Sequence, residues 1–291
     1  MSKILVTGIN GQLGKSIHKL VTNTRQTDDF IFVGREELDL SKNKSIVNYF
    51  NNNKFDIIIN CAAYTAVDRA EEEVELANQV NHIAVKLIAE IARKQKTRLI
   101  HISTDYVFDG ESDKPYIETD ATNPVNVYGK TKLAGEKALQ EAMPTNAIII
   151  RVSWLYSEFG NNFVEVMLRL GNVRDEINVV SDQMGSPTYA TDLAETILTL
   201  VNNKGCQNKE QSTEIYHYSN KGEISWYDFA KEIFKIVKID CKVNSINMDQ
   251  YPTPAKRPRN TLMDKDKIRN KLEMSHLSWS ASLEQMLRQM K

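Results

Sequence analysis

Two polar side chains at helical spacing are suited to acid–base chemistry on a carbonyl group. Tyr128 and Lys132 stand four residues apart, so on a helix both lie on the same face. A phenol is a useful acid when its pKa falls from about 10 toward neutrality, and a nearby ammonium favours this by stabilising the phenolate. The same pair also occurs by chance on solvated helices, so it needs support from elsewhere in the chain.

A third polar residue, Thr104, comes shortly after the apolar run 98–102. Ligands of open α/β sheets bind at the carboxyl ends of the strands, so a hydroxyl placed there can contact a substrate. The alternative is a hydroxyl that only caps a turn. With Tyr128 and Lys132, Thr104 completes a candidate catalytic set.

The stretch 8–16, G-I-N-G-Q-L-G-K-S, matches two phosphate-binding loops in part. A Walker A loop requires a glycine five positions before the glycine that precedes its lysine, and Ile9 occupies that position. The glycines Gly8, Gly11 and Gly14 instead follow a strand-like run and open a helix, as in dinucleotide-binding proteins. We therefore interpret the stretch as a dinucleotide loop, although three glycines at a turn can also be purely conformational.

The elements that must position these residues alternate between short apolar strands and amphipathic helices. The strand-like runs cover residues 4–6, 30–33, 55–59, 98–102, 147–150 and 177–180, and helical patterns cover 14–22, 45–50 and 71–95. Strands that are apolar throughout and separated by helices are typical of a parallel sheet covered on both faces. The pattern predicts an α/β, doubly wound, Rossmann-like fold.

The last third of the chain is less regular. It contains a strand pattern over 214–218, a helix over 226–237 capped by Ser225, a proline-rich loop over 251–258 and a short helix over 280–290. We predict a dinucleotide-binding domain over residues 1–151, to which segments around 177–203 return. A smaller α/β lobe over 152–291 is expected to bind mainly the substrate.

Composition narrows the class of protein. The formal net charge is −1, so no general field attracts nucleic acid or an anionic membrane. The three cysteines, Cys61, Cys206 and Cys241, form no C-x-x-C motif, which argues against a disulfide framework or a zinc site. The chain enters its first strand without a signal-peptide pattern, and no apolar stretch is long enough to span a bilayer. We expect a cytoplasmic protein.

Several motifs resemble one family over essentially the whole chain. They are V-T-G-I-N-G-Q-L-G, N-C-A-A-Y-T-A-V-D, S-T-D-Y-V-F-D-G, Y-G-K-T-K, R-V-S-W-L-Y, G-N-N-F-V and G-S-P-T-Y-A-T-D-L. In these the chain is similar to the dTDP-4-dehydrorhamnose reductase family, in the extended branch of the short-chain dehydrogenase/reductase superfamily. The resemblance implies NAD(P)H-dependent reduction of the C4 ketone of dTDP-4-dehydro-6-deoxy-L-mannose (dTDP-4-keto-L-rhamnose) to dTDP-L-rhamnose, the last step of dTDP-rhamnose biosynthesis.

The resemblance also assigns expected site residues. Thr104, Tyr128 and Lys132 are the catalytic set, and Tyr128 and Lys132 also contact the cofactor. The remaining cofactor contacts are Gly8, Asn10, Gly11, Gln12, Leu13, Gly14, Arg35, Asp39, Leu40, Ala62, Ala63 and Tyr64. The substrate contacts are Val67, Thr104, Asp105, Tyr106, Trp154 and Arg257. Trp154 could instead be part of the core. Arg257 is expected to contact the substrate's diphosphate, and the alternative is a solvated surface arginine.

The choice of cofactor depends on the end of the second strand. Enzymes strict for NAD usually carry an acidic residue there. Here Arg35 occupies that place and Glu36 follows. Because an arginine accommodates a 2′-phosphate, we expect NADPH to be favoured, with NADH as the alternative.

The chain departs from the family at a metal site. Some members bind Mg²⁺ between two subunits through acidic residues after the last glycine and in the A-T-D-L region. Lys15 and Ala190 occupy two of these positions and leave Asp192 alone. One carboxylate is a poor site for Mg²⁺, so we expect no metal and a monomer or weak homodimer.

Three other functions are known for proteins with similar motifs or the same fold. Sugar-nucleotide 4,6-dehydratases carry an Asp-Glu pair after the threonine, and here Asp105 is followed by Tyr106, which disfavours dehydration. A nucleotide-sugar epimerase of the same superfamily remains the alternative enzyme. A non-catalytic regulatory subunit with this fold is the alternative of another class, and it would be expected to lose part of the catalytic set.

Overall fold

A sheet of six parallel strands forms the centre of the protein. The computed structural model describes residues 1–24, 27–203, 211–275 and 277–290. In sheet order the strands are β10 (Glu214–Tyr218), β5 (Ala147–Val152), β4 (Arg98–Thr104), β3 (Ile57–Asn60), β1 (Lys3–Thr7) and β2 (Asp29–Val33). The four central strands are buried almost throughout, because helices cover both faces of the sheet.

The helices on the two faces enclose two separate apolar cores. One core lies beneath α1 (Gln12–Asn23) and α8 (Ala190–Asn202), which pack against each other. The opposite core lies beneath α2 (Asn43–Asn52), α5 (Ala84–Gln95) and α6 (Val127–Ala142). The predicted doubly wound fold is therefore confirmed.

The segment after β3 is more broken than its sequence pattern suggested. The predicted single helix over 71–95 is wrong, because the structure has α3 (Val67–Ala70), α4 (Val74–Asn78), a π-helical turn (Gln79–Ile83) and then α5. A single wider turn changes the apolar spacing too little to be visible in the sequence. Such π turns are often found at functional sites.

The second lobe has its own apolar core. Its helices are α7 (Phe163–Gly171), α9 (Trp226–Val237) and α11 (Trp279–Gln289). Its strands form three pairs: β6 (Leu155–Tyr156) with β9 (Thr188–Tyr189), β7 (Glu176–Val180) with β12 (Lys242–Ile246), and β8 (Met184–Gly185) with β11 (Ile224–Ser225). Short helical turns at Asp105–Val107 and Met248–Gln250 and the helix α10 (Asp266–Leu272) complete the described elements.

Two strands pair with partners that the local sequence pattern did not indicate. The run at β7 pairs with β12 in the second lobe, whereas β10, from the irregular last third, pairs with β5 and extends the main sheet. The chain returns from the lobe through α8, which packs on α1, and then enters β10. Short apolar strands have similar sequences, so only their pairing partners show to which lobe each strand belongs.

Two expectations from composition bear on the described chain. None of its helices combines the length and apolarity needed to cross a bilayer. Cys61 and Cys241 are free thiols. Cys206 lies outside the described residues.

Candidate active site

The glycine loop between β1 and α1 depends on close backbone contacts. Gly8 has φ +75°, and a Cβ on it would lie 2.9 Å from the Ala62 nitrogen. A Cβ on Gly14 would lie 2.2 Å from the Gly8 oxygen, so helix and loop could not pack as they do. No described side chain caps the first turn of α1, which begins after Gly11. The loop therefore offers free N–H groups and the positive end of a helix dipole, which fits a pyrophosphate.

A cleft of about 880 Å³ runs from this loop, past the carboxyl ends of the strands, to the second lobe. Most of the residues expected to bind the cofactor or the substrate line it. They are Gly8, Asn10, Gly11, Gln12, Leu13, Gly14, Arg35, Asp39, Leu40, Ala62, Ala63, Tyr64, Val67, Thr104, Asp105, Tyr106, Tyr128, Lys132 and Trp154. The fold thus gathers side chains from more than half of the chain's length into one continuous cavity.

The candidate catalytic residues meet where β4 ends and α6 begins. The Thr104 hydroxyl donates to Asp105 Oδ1 at 3.0 Å, accepts from the Tyr106 amide at 3.2 Å and lies near enough to Tyr128 to influence its pKa. Lys132 is buried, and its Nζ donates to the Ile102 carbonyl oxygen at 2.6 Å. One hydroxyl, one phenol and one ammonium therefore lie around the end of a single strand.

Burial sets the protonation state of this set. It raises the pKa of Tyr128 to about 12, with the nearby Thr104 hydroxyl opposing the shift and the Asp105 charge adding to it. The pKa of Tyr128 is therefore raised, and the lowering expected from Lys132 is not observed. Burial also lowers the pKa of Lys132 to about 8, against the opposing charge of Glu136. The phenol stays protonated at neutral pH, as a proton donor requires.

The pKa of the neighbouring carboxyl group, that of Asp105, is also shifted toward neutral pH. Asp105 is almost fully buried, and burial raises its pKa to about 6, while hydroxyl groups of Thr261 and Thr104 oppose the shift. The ring of Tyr106 packs edge-on against Tyr128, with 5.8 Å between centroids. The cleft beside the phenol therefore offers one carboxyl group and a second phenol for sugar hydroxyls.

Close approach of α6 to the end of β4 fixes this geometry. The Asn126 side chain caps α6 by accepting from the Gly129 amide at 2.8 Å. A Cβ on Gly129 would lie 2.1 Å from the Tyr106 carbonyl oxygen. Glycine is therefore required at this position for Tyr128 to reach Thr104.

The region expected to discriminate between cofactors is exposed. The Arg35 side chain is 75% exposed, and its Nε lies 3.5 Å from Asp39 Oδ1. Asp39 is also bound locally, since its Oδ1 accepts from the Ser41 amide at 3.0 Å and from the Ser41 hydroxyl at 2.6 Å. Arg35 lies at the rim of the cleft, where a guanidinium can reach a phosphate group.

Arg257 lies outside the lining of the cleft. Its guanidinium forms a two-pronged pair with Asp68, at 2.9 Å and 2.8 Å. The Asp68 carboxylate also accepts from the Ala255 amide, and Asn126 donates to the Lys256 carbonyl oxygen. These contacts hold the proline-rich loop against α3 and α6, so Arg257 has a structural partner in place of the diphosphate expected for it.

The residues considered for a metal site have other partners. Asp192 is buried and accepts from Asn220 at 2.6 Å and from Ser282 at 2.5 Å. The Lys15 ammonium lies 5.8 Å from the centre of the Phe159 ring. Within the described ranges, no three histidine, cysteine, aspartate or glutamate side chains are grouped as a metal site requires.

Sequence reasoning missed three contributions to the site. The π turn carries Asn81, whose side chain bonds both backbone polar groups of Tyr64. The cleft wall also includes Trp226, which stacks on Trp154. A buried ion pair, Glu136–Arg151, lies beneath the catalytic helix. Of these residues, only Glu136 has a sequence signal, because it lies one helical turn after Lys132.

Comparison with known proteins agrees with this architecture. The family model described as the RmlD substrate binding domain matches residues 2–291. A dTDP-4-dehydrorhamnose reductase of Aggregatibacter actinomycetemcomitans is 39% identical over 289 residues, which are 97% of each chain.

Solved structures agree over the same length. A dTDP-4-dehydrorhamnose reductase from Clostridium acetobutylicum superposes with a TM-score of 0.92 at 39% identity and covers 99% of both chains. One from Bacillus anthracis, solved in complex with NADP, gives a TM-score of 0.91 at 35% identity, again over 99% of both chains. The chain therefore belongs to the dTDP-4-dehydrorhamnose reductase family.

Proposed function

We propose that this protein reduces the C4 ketone of dTDP-4-dehydro-6-deoxy-L-mannose to dTDP-L-rhamnose with NADPH. The observation that carries the proposal is the meeting of Thr104, Tyr128 and Lys132 in one cleft that continues into the glycine loop. The relatives named as this reductase, and the NADP complex among them, support the same activity.

The glycine loop and the rim of the cleft suit a dinucleotide. The uncapped first turn of α1 would hold the pyrophosphate, and Arg35 would pair with a 2′-phosphate. When bound, NADPH supplies the hydride for the carbonyl carbon. Lys132, held by the Ile102 carbonyl oxygen, would donate to the nicotinamide ribose and bring positive charge near Tyr128.

The side chains of the protein itself would transfer the proton and orient the substrate. Tyr128 remains a neutral phenol because burial raises its pKa to about 12, so it holds the proton that the developing alkoxide needs. Thr104 lies beside Tyr128 and would orient the carbonyl oxygen. Asp105, Tyr106, Val67 and Trp154 would border the sugar, and Arg257 would have to leave Asp68 to contact the diphosphate.

Reduction is favoured over the alternatives by specific features. A dehydratase needs a second acidic residue after Asp105, and Tyr106 fills that place with its ring against Tyr128. A regulatory subunit has no need of the complete catalytic set. An epimerase would retain its dinucleotide, so it would consume no stoichiometric NADPH.

The test is to mix the protein with NADPH and dTDP-4-keto-L-rhamnose, and to follow cofactor absorbance and product NMR. We expect one NADPH oxidised for each dTDP-L-rhamnose formed. Interconversion of sugar epimers without net NADPH consumption would favour the epimerase. NADPH binding without turnover would favour a regulatory subunit. A cytoplasmic location and a monomer or weak homodimer remain predictions.

A further inference from the structure

One wall of the cleft consists of two stacked indoles. Trp154 and Trp226 both line the cleft, with 3.5 Å between ring centroids and 9° between ring planes. Trp154 follows β5 of the main sheet, whereas Trp226 is the first residue of α9 in the second lobe. The stack therefore joins the two lobes across the cavity that they share.

The backbone at Trp154 has an unusual conformation for so large a residue. Its φ is +47°, in the left-handed region that non-glycine residues rarely occupy. Hydrogen bonds fix the chain on both sides of this strained point. Ser153 Oγ donates to the Ser186 carbonyl oxygen at 2.6 Å, and the Thr188 amide donates to the Trp154 carbonyl oxygen at 3.1 Å. Strain that the surroundings maintain in this way is concentrated at functional sites.

The indole of Trp154 is also held directly. A Cβ on Gly185 would lie 2.4 Å from its Cε2, so only glycine leaves room for the ring. Trp226 is supported in turn by Phe163, with 4.4 Å between ring centroids. The ring of Trp154 is therefore packed against Gly185 and Trp226.

We propose that Trp226 is a positioning residue for the nucleotide sugar: its stack on Trp154 fixes the indole that borders the hexose in the cleft. An indole that is held in place by a stacked partner keeps the shape of the cleft beside the hexose constant. Orientation of the reacting carbonyl toward the proton donor is what the proposed reduction requires. This inference rests on the proposed function.

The test compares Michaelis constants for the two substrates in variants of the tryptophans. In Trp226→Ala we expect the KM for the dTDP-keto sugar to rise about tenfold, near the upper value for loss of one aromatic stack. In Trp226→Phe, which keeps an aromatic ring, the rise should be about twofold. The KM for NADPH should stay within about twofold in both, since the stack lies at the sugar end. Trp279→Phe, at a partly buried position packed against the core of the second lobe, is the matched control and should change neither constant.

A second readout reports the stack without any activity. Stacked indoles couple in the near-ultraviolet circular dichroism spectrum, and this signal should be lost in Trp226→Phe and Trp154→Phe but kept in Trp279→Phe. Gly185→Ala should raise the KM for the sugar in the same way, because its Cβ would displace the Trp154 ring.

Three results would overturn the proposal: an unchanged KM for the sugar in Trp226→Ala, an equal rise in both Michaelis constants, or circular dichroism that is the same with and without Trp226. Failure of the unaltered protein to oxidise NADPH with the sugar would instead contradict the proposed function, and this inference with it.

Discussion

The proton donor is the residue on which the proposed reduction depends most. Tyr128→Phe removes the only hydroxyl of that side chain and leaves its ring contacts with Tyr106. We expect kcat to fall by at least about 100-fold, the lower value for loss of a general acid. NADPH affinity should change by less than about threefold, because the ring and Lys132 remain. Stopped-flow absorbance and a fluorescence titration measure the two quantities, and a kcat close to that of the unaltered protein would rule out this role.

The alkaline limb of the pH profile belongs to Lys132. Burial lowers the pKa of its ammonium to about 8, so its charge is present below that pH and lost above it. We expect kcat/KM for NADPH to fall as the pH rises through about 8. An exposed lysine would instead stay charged up to a pH of about 10.4. Rates measured in buffers on both sides of this value provide the test. A profile that stays flat well above it would show that the charge of Lys132 is not needed.

At the scale of elements, Gly129 sets how closely α6 approaches the end of β4. A Cβ there would lie 2.1 Å from a backbone oxygen, which cannot move like a flexible side chain. Gly129→Ala should therefore push Tyr128 away from Thr104, and a displacement of about 1 Å costs about 100-fold in rate. Lys130→Ala, an exposed change in the same turn, should leave kcat unchanged. Equal rates in the two variants would contradict this account.

A buried ion pair ties α6 to the sheet beneath the catalytic residues. Arg151 on β5 donates to Glu136 through Nε at 3.0 Å and Nη2 at 2.7 Å, and Ser103 donates to the same carboxylate at 2.5 Å. Arg151→Met leaves a buried carboxylate without its cation, which should lower the free energy of unfolding by about 3–5 kcal/mol.

The matched control is an exposed pair in α10. Arg269→Met removes a surface contact of 3.0 Å with Asp266 and should cost less than about 1 kcal/mol. Urea unfolding measures both variants. Similar losses in the two would show that burial does not determine the strength of the Glu136–Arg151 pair.

The elements that the sequence predicted are those whose signals are local. The helix capped by Ser225 was expected over 226–237 and is observed as Trp226–Val237, since cap and apolar spacing lie within one segment. The π turn was not predicted, because it widens one turn without a distinct residue pattern. Nor was the place of β10 in the main sheet, because strand pairing is decided by residues far away in the chain.

The whole molecule consists of two lobes that share one cleft. The sequence predicted some of the residues in this cleft and missed others. Tyr128 and Lys132 were found through their helical spacing, and the glycine loop through its motif. Trp226 and Arg151 were missed because their partners, Trp154 and Glu136, are distant or are recognised only in three dimensions. The Asp68 partner of Arg257 was missed for the same reason, since 189 positions separate the two residues.

Metal independence is a prediction for the whole molecule. Asp192 is bound to Asn220 and Ser282, and these contacts tie α8 to α11. Because that carboxylate already has partners, we expect EDTA to change neither the turnover rate nor the melting temperature. Loss of activity in EDTA that Mg²⁺ restores would show that a cation binds despite these contacts.

The most direct test of the central claim is product formation by the unaltered protein. Incubation with NADPH and dTDP-4-keto-L-rhamnose, followed by NMR of the sugar, reports both the chemistry and the stereochemistry at C4. The account predicts dTDP-L-rhamnose in amounts equal to the NADPH oxidised. Unchanged keto sugar, or a product epimeric at C4, would contradict it.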